Sequence, residues 1–203
     1  MYTPEIYQNH NKSEIEAFLK ANSFGIIINQ TNGKLWGTHI PLEFEEQNGQ
    51  QILEGHISLE NPQAESLQNG DEVLCIFNGP HTYISSSWYD HENVPTWNYI
   101  AVHVYGKILL LNHEKTVKTL ERLVDKYEMA SENPIAISDL SKKTMRQARG
   151  ILGFEIIISE IQATRKMSQN RDQKNYDTII AELEKTNINQ NKEVAAEMKK
   201  CPR

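Results

Sequence analysis

The sequence predicts an α+β protein, mainly antiparallel β, with a barrel-like sheet and peripheral helices. Three observations carry this. Strand-like runs outnumber helical ones, they follow one another through short turns, and only a few segments switch to helical periodicity.

The first element is a short helix. Ser13-Glu14-Ile15-Glu16 spells a capping box, and Ile15, Phe18 and Leu19 then share a face until Gly25. Residues 24 to 29 and 35 to 44 are strand-like and separated by Asn32-Gly33, while Gln47-Asn48-Gly49 separates the second from residues 51 to 58. This predicts a three-stranded meander. Asn61-Pro62 opens a brief helix that stops near Asn69-Gly70-Asp71. Residues 73 to 77, 82 to 88 and 97 to 111 return to β composition, with Gly106 marking a bend or turn. From 114 to 128, Val117, Leu120, Val124 and Tyr127 form an apolar stripe on an amphipathic helix. A weaker helix covers about 140 to 149, and residues 153 to 161 make a β-branched, central strand. Beyond Arg171 the chain turns polar, and Ile179, Ile180 and Leu183 support one peripheral helix before a second near 194 to 198. The predicted division is a domain over 1–171 and a polar, partly helical appendage over 172–203.

With 203 residues the chain can bury a real core. Its 38% hydrophobic content and mean hydropathy of −0.59 are low, which points to a polar appendage or burial against a second copy, most simply a homodimer. The start has no basic region followed by an apolar run, and no stretch approaches the roughly 20 apolar residues that span a bilayer, so a cytoplasmic protein without membrane attachment is expected. Cys75 lies in an apolar run and Cys201 in a polar tail, which argues against a disulfide between them. The net charge of −6 opposes broad attraction to nucleic acid.

Two stretches concentrate the chemistry. Gly79-Pro80-His81-Thr82-Tyr83-Ile84-Ser85-Ser86-Ser87-Trp88-Tyr89 is followed, after an acidic loop, by Val94-Pro95-Thr96-Trp97-Asn98-Tyr99. Hydroxyls can hold a phosphate or a polar ring edge and aromatic faces can stack on a planar ring, although strands favour Thr, Tyr and Trp for packing alone. The second stretch, Thr164-Arg165-Lys166-Met167-Ser168-Gln169-Asn170-Arg171, sets three cations among hydroxyl and amide donors. That composition suits a phosphate cradle, and equally a solvated strand end. His39, in Thr38-His39-Ile40-Pro41-Leu42, alternates against its apolar neighbours and reads as a structural histidine. The remaining histidines show no zinc-ligand spacing, so no metal site is expected. Gly-x-Ser-x-Gly, Walker A and Gly-x-Gly-x-x-Gly motifs are missing, which disfavours the common serine hydrolases, P-loop NTPases and Rossmann dehydrogenases.

The first stretch, through Val94 to Tyr99, and Lys166-Met167-Ser168-Gln169-Asn170-Arg171 of the second, with the opening Met1-Tyr2-Thr3-Pro4 and Thr38-His39-Ile40-Pro41-Leu42, resemble the PaiB family of FMN-binding negative transcriptional regulators, from the first residue to Arg171. The resemblance implies an FMN-binding split β-barrel, related to the pyridoxamine-phosphate oxidases, and a homodimer with cofactor sites at the subunit interface. It implies repression of sporulation and degradative-enzyme genes. Carried onto this chain, Ser85, Ser86, Ser87, Trp88, Thr96, Trp97, Asn98 and Tyr99 would line the flavin region. Lys166, Ser168, Gln169 and Arg171 would meet phosphate or ribityl.

Two other readings compete. A bound flavin could make the protein an oxidoreductase acting on a small molecule, with no catalytic residue required of the chain. Haem is a third option, ranked below flavin. For the regulator, Lys142, Lys143, Arg146 and Arg149 are the basic candidates, and Lys142, Arg146 and Arg149 share roughly one helical face, but that pattern reads more readily as a solvated helix face and no helix-turn-helix is evident. DNA or a partner regulatory protein would be the target.

Overall fold

The computed structural model describes residues 1–201. Pro202 and Arg203, the last two positions of the predicted appendage, lie outside the described residues. Six strands, β1 (Phe24–Thr31), β2 (Lys34–Gln47), β3 (Gln50–Ser58), β4 (Glu72–Ile84), β5 (Thr96–Leu110) and β6 (Ile151–Lys166), close into a barrel in the order β1-β2-β3-β6-β5-β4. Every register resolved between neighbours is antiparallel. The predicted class is therefore the observed one, an α+β split barrel with helices around it.

The chain forms two compact units. The first holds Leu19–Phe77 and Val104–Ile161. Its meander turns as expected: Asn32-Gly33 and Asn48-Gly49 all have positive φ, the conformation a two-residue hairpin needs to match the strand twist. Ile27, Leu42, Phe44, Leu53, Phe77, Val104, Ile108, Phe154 and Ile156 fill the barrel core. Gly106 does not mark a bend. It sits inside β5, where an added Cβ would lie 2.5 Å from the Ile157 carbonyl oxygen, so glycine here permits close approach of β6. The brief helix expected at Asn61-Pro62 is α2 (Pro62–Ser66). Helix α3 (His113–Glu128) is present, but its buried positions are Thr116 and Thr119, not the predicted apolar stripe, and their hydroxyls bond the carbonyls of Asn112 and Thr116. The helix predicted over 140 to 149 is a four-residue α4 (Lys142–Met145) that tightens into a 3-10 stretch, Arg146–Gly150.

The second unit holds Met1–Phe18, Asn78–His103 and the chain from Gln162 onward. Helix α1 (Lys12–Ala21) starts earlier than its capping box suggested, because Asn11 accepts from the Glu14 amide at 3.3 Å and Glu14 reaches back to the Asn11 side chain at 3.0 Å. β4 runs unbroken through Gly79-Pro80, where two strands were predicted, and ends before a 3-10 turn, Ser86–Trp88. Helices α5 (Gln173–Lys185) and α6 (Asn189–Lys200) are more than peripheral. Tyr176, Ile179, Leu183, Val194, Ala195 and Met198 bury in one cluster with Ile84, Tyr89 and Met167, and the Tyr176 hydroxyl donates to the Met198 carbonyl at 2.6 Å. Among the described residues no helix is long and apolar enough to cross a membrane.

Candidate functional site

All twelve predicted site residues fall in the second unit, on β5, at the end of β6 and in the turns that follow β4 and β6. Strand alternation then divides them. Along β4, Thr82 and Ile84 are buried while His81 and Tyr83 are exposed; along β5, Asn98 is fully buried while Trp97 is 54% exposed. Asn98 accepts from the Ser168 hydroxyl at 3.0 Å and donates to the Met198 sulfur at 3.5 Å, and Thr82 donates to Asn191. The α5–α6 pair therefore covers the face of Thr82, Ile84 and Asn98. The opposite face carries an aromatic shelf. Trp97 meets His81 at 6.3 Å and the edge of Tyr83 at 6.1 Å, beside a concavity of about 360 Å³ lined by Asn78, His81, Trp97, Tyr99 and Ile100. Thr96-Trp97-Asn98-Tyr99 thus supplies two separate faces where one lining was predicted.

The cations sort in the same way. Arg165 is neutralised by Glu14 at 3.4 Å and Glu197 at 3.1 Å, and donates to the Glu197 carbonyl. Lys166 makes no ion pair among the described residues. Its ammonium donates to the Thr96 hydroxyl at 2.6 Å and lies 5.6 Å from the centre of the Tyr7 ring. Burial and the positive charge of Arg171 both hold the Lys166 pKa below the usual lysine range. Arg171 lies 5.0 Å over the Tyr89 ring. Two like charges brought together beside a hydroxyl, one of them partly buried and without a carboxylate, fit an anion: a phosphate between them would replace repulsion with charge-assisted hydrogen bonds.

Other predicted residues are committed to the backbone. Ser85 caps the 3-10 turn, accepting from the Ser87 amide at 3.2 Å and meeting its hydroxyl at 2.8 Å; Ser86 is exposed, and Trp88 packs on the C-terminal cluster. Ser168 is 2% exposed with φ of 58°, and Gln169 braces the same turn by donating to the Arg165 and Ile6 carbonyls and accepting from the Met167 amide. Two aromatic residues beside the cations, Tyr7 and Tyr89, were not predicted. The Tyr89 hydroxyl is buried without a hydrogen-bond partner among the described residues. Its place directly after Trp88 in the motif was a usable signal; Tyr7 had none, because it reaches Lys166 from the far end of the chain.

The first unit offers less. His39 stacks on Phe24, the structural role predicted for it. A 240 Å³ cavity lined by Glu43, Glu45, Glu54, His56, Arg122 and Lys126 has both its strong cations paired, with Arg122 on Glu54 and Lys126 on Glu43. Burial holds the His56 pKa down. Among the described residues no group of three or more His, Cys, Asp or Glu could hold a metal ion.

A barrel of this kind, with an aromatic shelf and a pair of neighbouring cations, is the class of fold that holds flavins, and the chain belongs to the family described as "Putative FMN-binding domain", whose sequence profile matches residues 1–160. Over 185 residues it is 41% identical to the Protease synthase and sporulation protein PAI 2 of Bacillus subtilis, spanning 91% of this chain and 89% of that protein. Among solved structures it is similar to the FAD and heme binding protein of Mycobacterium smegmatis (TM-score 0.62, 13% identity, 86% of this chain and 80% of that one). It is also similar to the flavocytochrome Anf3 of Azotobacter vinelandii (TM-score 0.61, 14% identity, 87% and 78%). At these identities the two structures speak to the fold alone.

Proposed function

We propose that this chain is an FMN-binding negative transcriptional regulator of the PaiB type, working as a homodimer. The observation that carries the flavin is the Lys166–Arg171 pair beside Thr96, set in a chain of the FMN-binding family. Lys166 and Arg171 hold the phosphate, Thr96 orients the Lys166 ammonium, and the Trp97–Tyr99 shelf seats a planar ring. When bound, FMN supplies one- or two-electron redox chemistry, and the chain binds, orients and shields it. Because the shelf and the cations occupy opposite faces of β5, the homodimer reading gains a physical motive: each site joins the shelf of one protomer to the cations of its partner. Ser85, Ser86, Ser87 and Trp88 support that site by shaping the turn, and Asn98, Ser168 and Gln169 by fixing β5 against the end of β6. The regulatory role is supported by the 41% identity to a relative named for protease synthesis and sporulation.

Titration of the protein with FMN and riboflavin, followed by flavin fluorescence, tests the site. The double variant Lys166→Ala, Arg171→Ala is expected to weaken FMN by about 100-fold or more, at about 1.5–3 kcal/mol per charge-assisted hydrogen bond, and to leave riboflavin nearly unchanged. Equal loss for both ligands refutes the phosphate role, and no binding of FMN at micromolar concentration refutes the flavin. Steady flavin-dependent NAD(P)H turnover with a small substrate would replace the regulator with an oxidoreductase.

A further inference from the structure

We infer that the segment Lys142–Gly150 is a docking strip for the sugar-phosphate backbone of a nucleic-acid duplex. The inference rests on the regulatory reading for its setting and on nothing in the flavin site. Elsewhere in this acidic chain many cations are paired, Lys118 with Glu114, Arg122 with Glu54, Lys126 with Glu43, Lys174 with Asp90 and Lys199 with Glu184, and others such as Lys34 and Lys107 stand singly among the described residues. Lys142, Lys143, Arg146 and Arg149 are all exposed, and none makes an ion pair among the described residues. No carboxylate stands between Leu140 and Gly150. Holding four like charges this close is unfavourable, and the segment is nonetheless anchored: Ser141 caps α4 by accepting from the Thr144 amide, Ala148 is buried and Met145 is half-buried.

Three features choose the partner. The four cations spread over roughly 14 Å of α4 and 3-10 backbone, too far to converge on one small anion but matched to a polymer carrying a charge about every 1.7 Å. The other exposed side chains, Thr144 and Gln147, are phosphate hydrogen-bonding types, and no aromatic anchor of the kind that dominates protein interfaces is present. Its apolar residues face inward, leaving nothing to insert into a bilayer. A four-residue helix cannot read a groove, so the strip contributes affinity and register while sequence preference comes from elsewhere.

The test is fluorescence anisotropy of a labelled random-sequence duplex with the full-length protein, between about 50 and about 200 mM salt. At about 0.9 in the log–log slope per phosphate contact, the four contacts make wild-type affinity fall about 100-fold across that range. The variant Lys142→Ala, Lys143→Ala, Arg146→Ala, Arg149→Ala is expected to bind weakly at low salt with a slope shallower by about 3–4, and Arg146→Lys with Arg149→Lys to keep the wild-type slope. Equal affinity and slope in wild type and the fourfold variant overturn the inference. So does equally tight binding, lost in the same variant, to polyglutamate or to anionic phospholipid vesicles. FMN titration of the same variant separates the readings: FMN bound normally while the duplex is ignored by wild type sinks the strip and spares the flavin. Should the fourfold variant fail to fold, Lys142→Ala with Arg149→Ala, reading about half the slope change, replaces it.

Discussion

At the scale of single residues, the proposed phosphate site sets a charged lysine at a disadvantage in the folded protein. Lys166 is held partly out of water beside Arg171, so the folded protein disfavours its charge, and its pKa lies below the ordinary value near 10.4. For a lysine shifted down, the unfolded chain holds the proton more tightly. The destabilisation is therefore complete below the folded-state pKa and fades as pH rises toward the unfolded one. Lys166→Met, which keeps the apolar stem and removes the charge, is expected to raise the melting temperature of the flavin-free protein at neutral pH, with the advantage shrinking in alkaline buffer. A melting temperature lower than wild type at every pH would show that the Thr96 bond and Tyr7 contact outweigh the repulsion. Wild-type FMN affinity is expected to decline at a pH below the usual lysine range, as the charge that holds phosphate is lost. These residue roles were only half legible. Lys166 and Arg171 stood out by composition, but Asn98 and Ser168, 70 positions apart, looked like ligands because nothing local reveals that each satisfies the other.

At the scale of elements, local chemistry was readable where it decides geometry by itself. The Asn-Gly turns announced both hairpins because positive φ is a property of those residues and needs no partner. Gly106 was misread for the converse reason, since its role is set by β6, some fifty positions on. The two kinds of glycine should respond differently to alanine. Gly33, with φ of 77° and open space around it, should lose about 1 kcal/mol from backbone strain alone. Gly106→Ala drives a methyl against a carbonyl oxygen at 2.5 Å and should cost about 1–3 kcal/mol or more, because the barrel core must shift. Urea unfolding of both variants gives the comparison; a smaller loss at 106 than at 33 would show that β6 yields. The C-terminal helices were underrated on the same principle. Tyr176, Ile179, Leu183, Val194, Ala195 and Met198 are sparse within their own polar helices and become a core only when added to Ile84, Tyr89 and Met167.

At the scale of the whole molecule, the low apolar content, the exposed aromatic shelf and the division of site residues across β5 argue together for a second copy. A single chain presents Trp97 and the Lys166–Thr96 bond from successive positions of β5, whose side chains leave opposite faces, and this is the division the proposed dimer site would join. Two chains related by a twofold axis can bring unlike faces together, twice over. Complementation tests this arrangement. Trp97→Ala, with Tyr99→Ala, disables every shelf; Lys166→Ala, with Arg171→Ala, disables every phosphate end; each variant alone should bind FMN poorly. If shelf and cations come from different protomers, unfolding the two variants together and refolding them puts both defects into one site of each mixed dimer and leaves its other site intact. Random pairing makes half the dimers mixed, so about a quarter of all sites should recover wild-type FMN affinity. If each site is built within one chain, mixing restores none, and the shelf must serve a ligand of its own.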